Sequence, residues 1–130
     1  MHTIELRFVG LGVAAWLGFL IFIRLVGTAA FTIGNPLLPV LFVAAIPTLI
    51  GVIYALSYVT GVAIRDMPIP VMVMTFTALI LDGLAIGFTD FYGDSHEQIR
   101  ASAAFLLWGA GWGMLISMLL AARADSADNG

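Results

Sequence analysis

One carboxylate interrupts the long apolar segment between Val71 and Phe88, and it is the residue with the clearest capacity for chemistry. Asp82 stands near the middle of that segment. A carboxylate at such a depth in a lipid bilayer costs about 3 kcal/mol or more. It therefore needs a counter-ion, a proton, or a cation to bind, which makes Asp82 the first candidate for a functional residue.

Three other helices are expected to place polar groups at the depth of Asp82. When depth is counted at ~1.5 Å per residue inward from the outer end of each apolar segment, these polar groups fall at one depth. Pro47 contributes because it has no N–H and so frees the carbonyl of Val43 four residues earlier. The sequence therefore predicts a buried polar layer, which is made of Arg24, Pro47 with the Val43 carbonyl, Thr48, Asp82 and Trp108.

The predicted layer has three open interpretations. An Arg24–Asp82 ion pair that only fixes the register of the helices is favoured, because structural ion pairs are common. The pair can instead form a substrate, ion or proton site. In the third interpretation, Asp82 faces the axis of an oligomer.

The composition explains why this chain needs lipid as its solvent. Of its 130 residues, 62% are hydrophobic and 10% are charged, against about half and about a quarter in soluble domains. The absence of cysteine excludes disulfides and thiolate metal sites. A net charge of −3 without a basic cluster argues against a nucleic-acid partner.

All five cations are arginine and the C-terminal end is rich in Ala and Asp, which is typical of GC-rich prokaryotic genomes. We therefore expect the inner (cytoplasmic) membrane of a prokaryote.

Four apolar segments are long enough to cross a bilayer as helices, at about 8–28, 37–64, 70–88 and 101–122. They predict an all-α integral membrane protein with one four-span domain over residues 1–122 and a short polar tail over 123–130. The connections are short, so sequential helices should be antiparallel neighbours in an up-down-up-down bundle. Arg7, Arg65 and Arg123 fall on one side and Arg100 on the other. This bias predicts that both termini are cytoplasmic.

Regular spacings predict which helix faces turn away from lipid. Thr75, Asp82 and Thr89 recur every seven residues in the third segment, so they share one face. Ridges of small residues allow close helix approach. The longest is Gly109, Gly113, Ser117 and Ala121; shorter ones are Gly10, Ala14 and Gly18 in the first segment and Gly83 and Gly87 in the third. We expect them to pack within the molecule, with contact to another subunit as the alternative.

Signatures of catalysis and of cofactors are absent. There is no Ser/His/Asp arrangement and no phosphate-binding glycine loop, and both histidines lie outside the apolar segments. Ser95 and Gln98 form a capping-box pattern that should open the fourth helix. The neighbouring Asp94, His96 and Glu97 are better explained as a solvated loop than as a metal site. The sequence therefore predicts no enzyme, no cofactor and no metal.

Several motifs in the second half resemble a known family. They are Pro70–Met74, Ala78–Ala85 around the Leu-Asp pair, Phe88–Tyr92, and Ala104–Gly111 with its Leu-Trp-Gly sequence. Over residues 68–120 the chain resembles a small prokaryotic four-span family catalogued as a domain of unknown function. The resemblance implies a four-helix membrane fold with Asp82 as part of the family pattern. It implies no activity, and the first half of the chain does not match it.

Two classes of function follow from these features. The favoured one is a non-enzymatic scaffold or accessory subunit in membrane lipid, within a homo-oligomer or a larger membrane complex. The alternative is a small oligomeric transporter or channel in which Asp82 serves as a proton or cation site. Arg24 paired with Asp82 in a dry interior would favour the first, and a water-filled cavity that reaches Asp82 from either face would favour the second.

Overall fold

Four long helices make up the computed structural model, which describes residues 3–30, 36–90 and 95–129. They are α1 (Thr3–Ala30), α2 (Leu37–Thr60), α3 (Pro68–Phe88) and α4 (His96–Asn129), with one 3-10 turn at Ile64–Asp66. No strand is present in the described residues. All four helices are long and apolar enough to cross a membrane, which confirms an all-helical protein with four candidate membrane spans.

The second helix ends earlier than the predicted limit at residue 64. Gly61 has a φ of +75° and its N–H donates to the Ser57 carbonyl at 2.9 Å. This left-handed conformation terminates helices, and glycine adopts it without the steric cost of a Cβ. The chain therefore leaves α2 at Gly61 and makes the 3-10 turn before α3 begins.

The fourth helix is longer than predicted at both ends. Ser95 precedes it, and its hydroxyl oxygen accepts the N–H of Gln98 at 3.1 Å, as expected from the capping pattern. At the other end, the helix continues to Asn129, so the predicted polar tail at 123–130 is helical over nearly its whole length. Alanine has the highest helix propensity of all residues, and this stretch is rich in alanine.

Not every helix packs chiefly against the helix that precedes or follows it in the sequence. α1 packs chiefly against α3, α2 packs against α4, and α3 packs against α4, whereas α1 meets α2 over only a short stretch. Among the described residues, α3 and α4 are therefore the sequential pair with an extensive contact. A short connection constrains only the ends of two helices, and side-chain fit decides which faces meet.

A close contact between helices lies at Gly12, which belongs to none of the predicted ridges. A Cβ on Gly12 would lie 3.0 Å from the Met74 carbonyl oxygen and 3.1 Å from the Thr77 Cβ. Eleven residues beyond Gly12 and Met74, Ile23 and Ala85 belong to one buried cluster. Residue numbers therefore rise together along α1 and α3.

Two buried clusters form the interior of the described fold. One contains Ile23, Ala85, Ala101 and Phe105, and the other contains Ile53, Met67, Val71 and Ile116. Many large apolar side chains lie on the outside instead, such as Leu25 at 79% exposure and Phe88 at 85%. In a membrane this apolar outer surface is the part that lipid covers.

We predict that Gly12→Ala destabilises the protein by about 1–3 kcal/mol, because the added methyl group meets backbone atoms of Met74 that cannot rotate away. Reversible unfolding by a denaturing detergent, measured in mixed micelles, checks this. Gly10→Ala is the matched control, since a Cβ there has no atom within 4 Å. Equal stability of the two variants would contradict the close approach at Gly12.

Candidate functional site

The carboxylate of the third helix is enclosed by protein. Asp82 is 5% exposed, and Ala85 on the same face of α3 is 4% exposed. Asp82 also makes at least one polar or electrostatic interaction within the fold. Thr75, Ala78 and Thr89 on this face are half-buried, whereas Ile80 is 61% exposed on another face. The Thr75, Asp82 and Thr89 stripe therefore faces the protein, as its spacing predicts.

A cavity of about 590 Å³ lies between the helices, and Asp82 is on its wall. Helix packing explains why this space exists: α1 and α3 form one pair, α2 and α4 form another, and α2 meets α1 over only a short stretch. Small residues on the facing surfaces leave the gap unfilled. They include Ala44, Ala45, Ala78, Gly109 and Ala110.

The members of the predicted polar layer lie in different surroundings. Asp82 is buried, but Arg24, Pro47 and Thr48 are exposed. Thr48 lines the cavity, and its hydroxyl donates to the Ala44 carbonyl of its own helix at 2.8 Å. A buried layer of these residues is therefore not what the structure has, because open space separates α2 from α3 at this level.

Arg24 does not take the inward position that the depth count suggested. Its neighbour Ile23 is the α1 residue with 0% exposure. Successive helical residues point about 100° apart, so the side chain of a residue next to the most buried one points away from the core. The pairing of these two residues stays a prediction, which the experiment on Asp82 below also tests.

Trp108 makes the hydrogen bond that ties α4 to α2. Its indole N–H donates to the carbonyl of Phe42 at 2.9 Å. The Phe42 ring also lies 5.5 Å from the Trp108 ring and 5.4 Å from the Phe105 ring. The sequence placed Trp108 in the layer without naming an acceptor, and the structure supplies the Phe42 carbonyl as that acceptor. Trp108 itself is 37% exposed.

The glycine ridge of α4 faces the interior of the same chain. A Cβ on Gly113 would lie 3.7 Å from the Leu49 Cδ2 of α2. Ser117 is 1% exposed, and its hydroxyl donates to the Met114 carbonyl at 2.7 Å. Gly109 lines the cavity. These positions favour packing within the molecule over contact with another subunit. The shorter ridges in α1 and α3 are exposed at each of their glycines.

Trp16 is a residue of the site that the predicted polar layer does not include. Trp16 lines the cavity, and among the described residues its buried indole Nε1 has no hydrogen-bond partner. Gly12, one turn earlier, packs against Met74 and Thr77, so Trp16 lies near the level of Ala78, about one turn before Asp82. The available signal was an indole N–H placed well inside an apolar segment, where lipid offers it no acceptor.

We predict that Trp108→Phe lowers the free energy of unfolding by about 0.6 kcal/mol and by no more than about 1.7 kcal/mol, the average and the maximum measured for interhelical hydrogen bonds in a membrane protein. The variant keeps an aromatic ring and removes the donor to Phe42. Denaturing-detergent titration measures the change. Trp112→Phe is the control, because the structure describes no hydrogen bond of that indole. A Trp108→Phe variant as stable as its parent would show that the bond contributes nothing.

Comparison with family models, with curated proteins and with solved structures finds no match for this chain. The function therefore has to be argued from the residues and their geometry. Three features are available for that argument: four candidate membrane spans, a buried carboxylate, and a cavity with that carboxylate on its wall. The resemblance to a four-span family stays a prediction.

Proposed function

We propose that this chain is a small multi-pass membrane protein that transports a cation or proton by way of Asp82. The observation that carries the proposal is the position of Asp82, buried at 5% exposure on the wall of a cavity of about 590 Å³. An ionisable residue within a membrane span is costly, and it faces a protein interior or a cavity when it serves an ion or substrate pathway. Asp82 has this placement.

The arrangement in the membrane is part of the proposal. Residue numbers rise together along α1 and α3. Along α3 and α4 they run in opposite directions, because Ala85 clusters with Ala101 at one end and Val71 clusters with Ile116 at the other. This pairing supports alternating helix directions. Together with the arginine bias it supports cytoplasmic termini in the cytoplasmic membrane of a prokaryote. A homo-oligomer is proposed as the working unit, since one copy has four helices and a broad apolar surface.

The alternative is a scaffold or accessory subunit, in which the polar residues around Asp82 fix the helix arrangement and the glycine ridge of α4 binds a partner. Arg24 is exposed, and the cavity leaves space beside Asp82 that a packing role does not need. Both observations favour transport over a scaffold or accessory subunit. No catalytic step forms part of the proposal.

We predict that Asp82→Asn reduces cation or proton flux in proteoliposomes at least about tenfold, because the amide keeps the size of the side chain and loses its charge. Flux is measured with ion-sensitive dyes under an imposed gradient, and thermal unfolding is measured on the same preparation. Asp66→Asn is the matched control, since Asp66 is exposed in the 3-10 turn outside the cavity. It should leave flux within about twofold of the parent.

A different outcome would support the scaffold. If Asp82→Asn lowers only the unfolding temperature, and Arg24→Leu added to it restores part of the loss, the two residues form a structural pair. This rescue is expected of a pair because removing one member leaves the other charge uncompensated, and removing both relieves it. Unchanged flux in Asp82→Asn would end the transport proposal.

A further inference from the structure

We propose that the cavity binds a lipophilic organic cation, with the cationic centre against Asp82 and the apolar body among the cavity's hydrocarbon side chains. This inference rests on the proposed function, because it assigns a substrate class to the same site. The proposed function alone allows protons and inorganic cations, whereas this inference restricts the ligand to organic cations.

Charge complementarity is the first argument. Asp82 is the one residue with a formal charge among the described residues that line the cavity. The other lining groups are apolar apart from the hydroxyls of Thr48 and Thr75 and the indole N–H of Trp16. A single negative charge in apolar surroundings favours a ligand with a single positive charge and an apolar body.

The size of the cavity is the second argument. Its volume of about 590 Å³ falls in the range of roughly 300–1,000 Å³ that holds drug-sized ligands. Hard inorganic cations such as Ca²⁺ and Mg²⁺ need about six or more oxygen ligands. The lining offers few oxygens, and the hydroxyl of Thr48 already donates to the Ala44 carbonyl. The cavity is therefore larger and more apolar than a bare inorganic cation requires.

Aromatic rings beside the carboxylate are the third argument. Phe19 and Phe105 both line the cavity and stack with centroids 5.5 Å apart and planes 5° apart. Trp16 adds an indole to the same lining, and its buried Nε1 has no partner in the described residues. Aromatic faces attract cations through their quadrupole, and they do so most strongly where water is excluded. A cavity that is lined by aromatic rings and one carboxylate suits an alkylammonium or arylphosphonium ion.

The experiment measures saturable binding of tetraphenylphosphonium to the full-length protein in lipid nanodiscs, with empty nanodiscs subtracted. We expect saturable binding that Asp82→Asn weakens more than about tenfold and that Asp66→Asn leaves within about twofold. Tetraphenylborate has the same shape and the opposite charge, so it should show no saturable binding. Equal binding of the two ions would overturn the proposal, because shape alone would then decide.

A second pair of variants tests the cavity without touching the carboxylate. Gly109 lines the cavity, and a Cβ there meets no atom within 4 Å, so Gly109→Leu should fill the space without a clash. Gly111→Leu is the matched control on the same helix; a Cβ there is also free of contacts, and Gly111 is outside the cavity lining. We expect Gly109→Leu to weaken tetraphenylphosphonium binding more than about tenfold and Gly111→Leu to leave it unchanged.

The outcomes separate this inference from the proposed function. Flux of protons or inorganic cations that depends on Asp82, without saturable tetraphenylphosphonium binding, would overturn the ligand class and leave the transport proposal standing. Binding that depends on Asp82 and on Gly109, without any flux, would support the ligand class and end the transport proposal. Binding that survives both Asp82→Asn and Gly109→Leu would place the ligand elsewhere and overturn the inference.

Discussion

A carboxylate in hydrocarbon has to be surrounded by protein, and this constraint organises the structure. Asp82 is 5% exposed, which requires α3 to turn one face toward other helices over its length. α3 meets that requirement by packing against both α1 and α4. Because exposing a charge to lipid is costly, α3 packs between α1 and α4, and its apolar faces are left to contact the membrane.

The cavity is a consequence of two different helix contacts. On one side, Gly12 allows α1 to approach the backbone of α3 at Met74. On the other side, the Trp108 N–H reaches the carbonyl of Phe42 and joins α4 to α2. Each contact closes one pair, and the small residues between the pairs do not fill the remaining space. A buried carboxylate at the edge of an unfilled apolar space can bind a cation, which one in a fully packed core cannot do.

Part of the candidate site follows from local pattern, and part does not. The seven-residue spacing of Thr75, Asp82 and Thr89 predicts a common inward face, because rotation along one helix is regular. The count of residues from each helix end estimates depth and says nothing about rotation relative to other helices. For this reason Arg24, which the count placed level with Asp82, has an exposed side chain, while its neighbour Ile23 occupies the core. Trp16 was missed for the same reason.

The sequence by itself determined the apolar class, four spans, the inward carboxylate of α3 and the Ser95 cap of α4, since composition, periodicity and capping act within a few residues along the chain. Only the tertiary structure decided that α1 pairs with α3, that Gly12 is a point of close approach, and that a cavity opens beside Asp82. Those outcomes depend on how side chains distant in sequence fit together. In lipid, the hydrophobic effect does not drive helices together, so van der Waals packing between side chains selects which helices are neighbours. No pattern within a single helix encodes that packing.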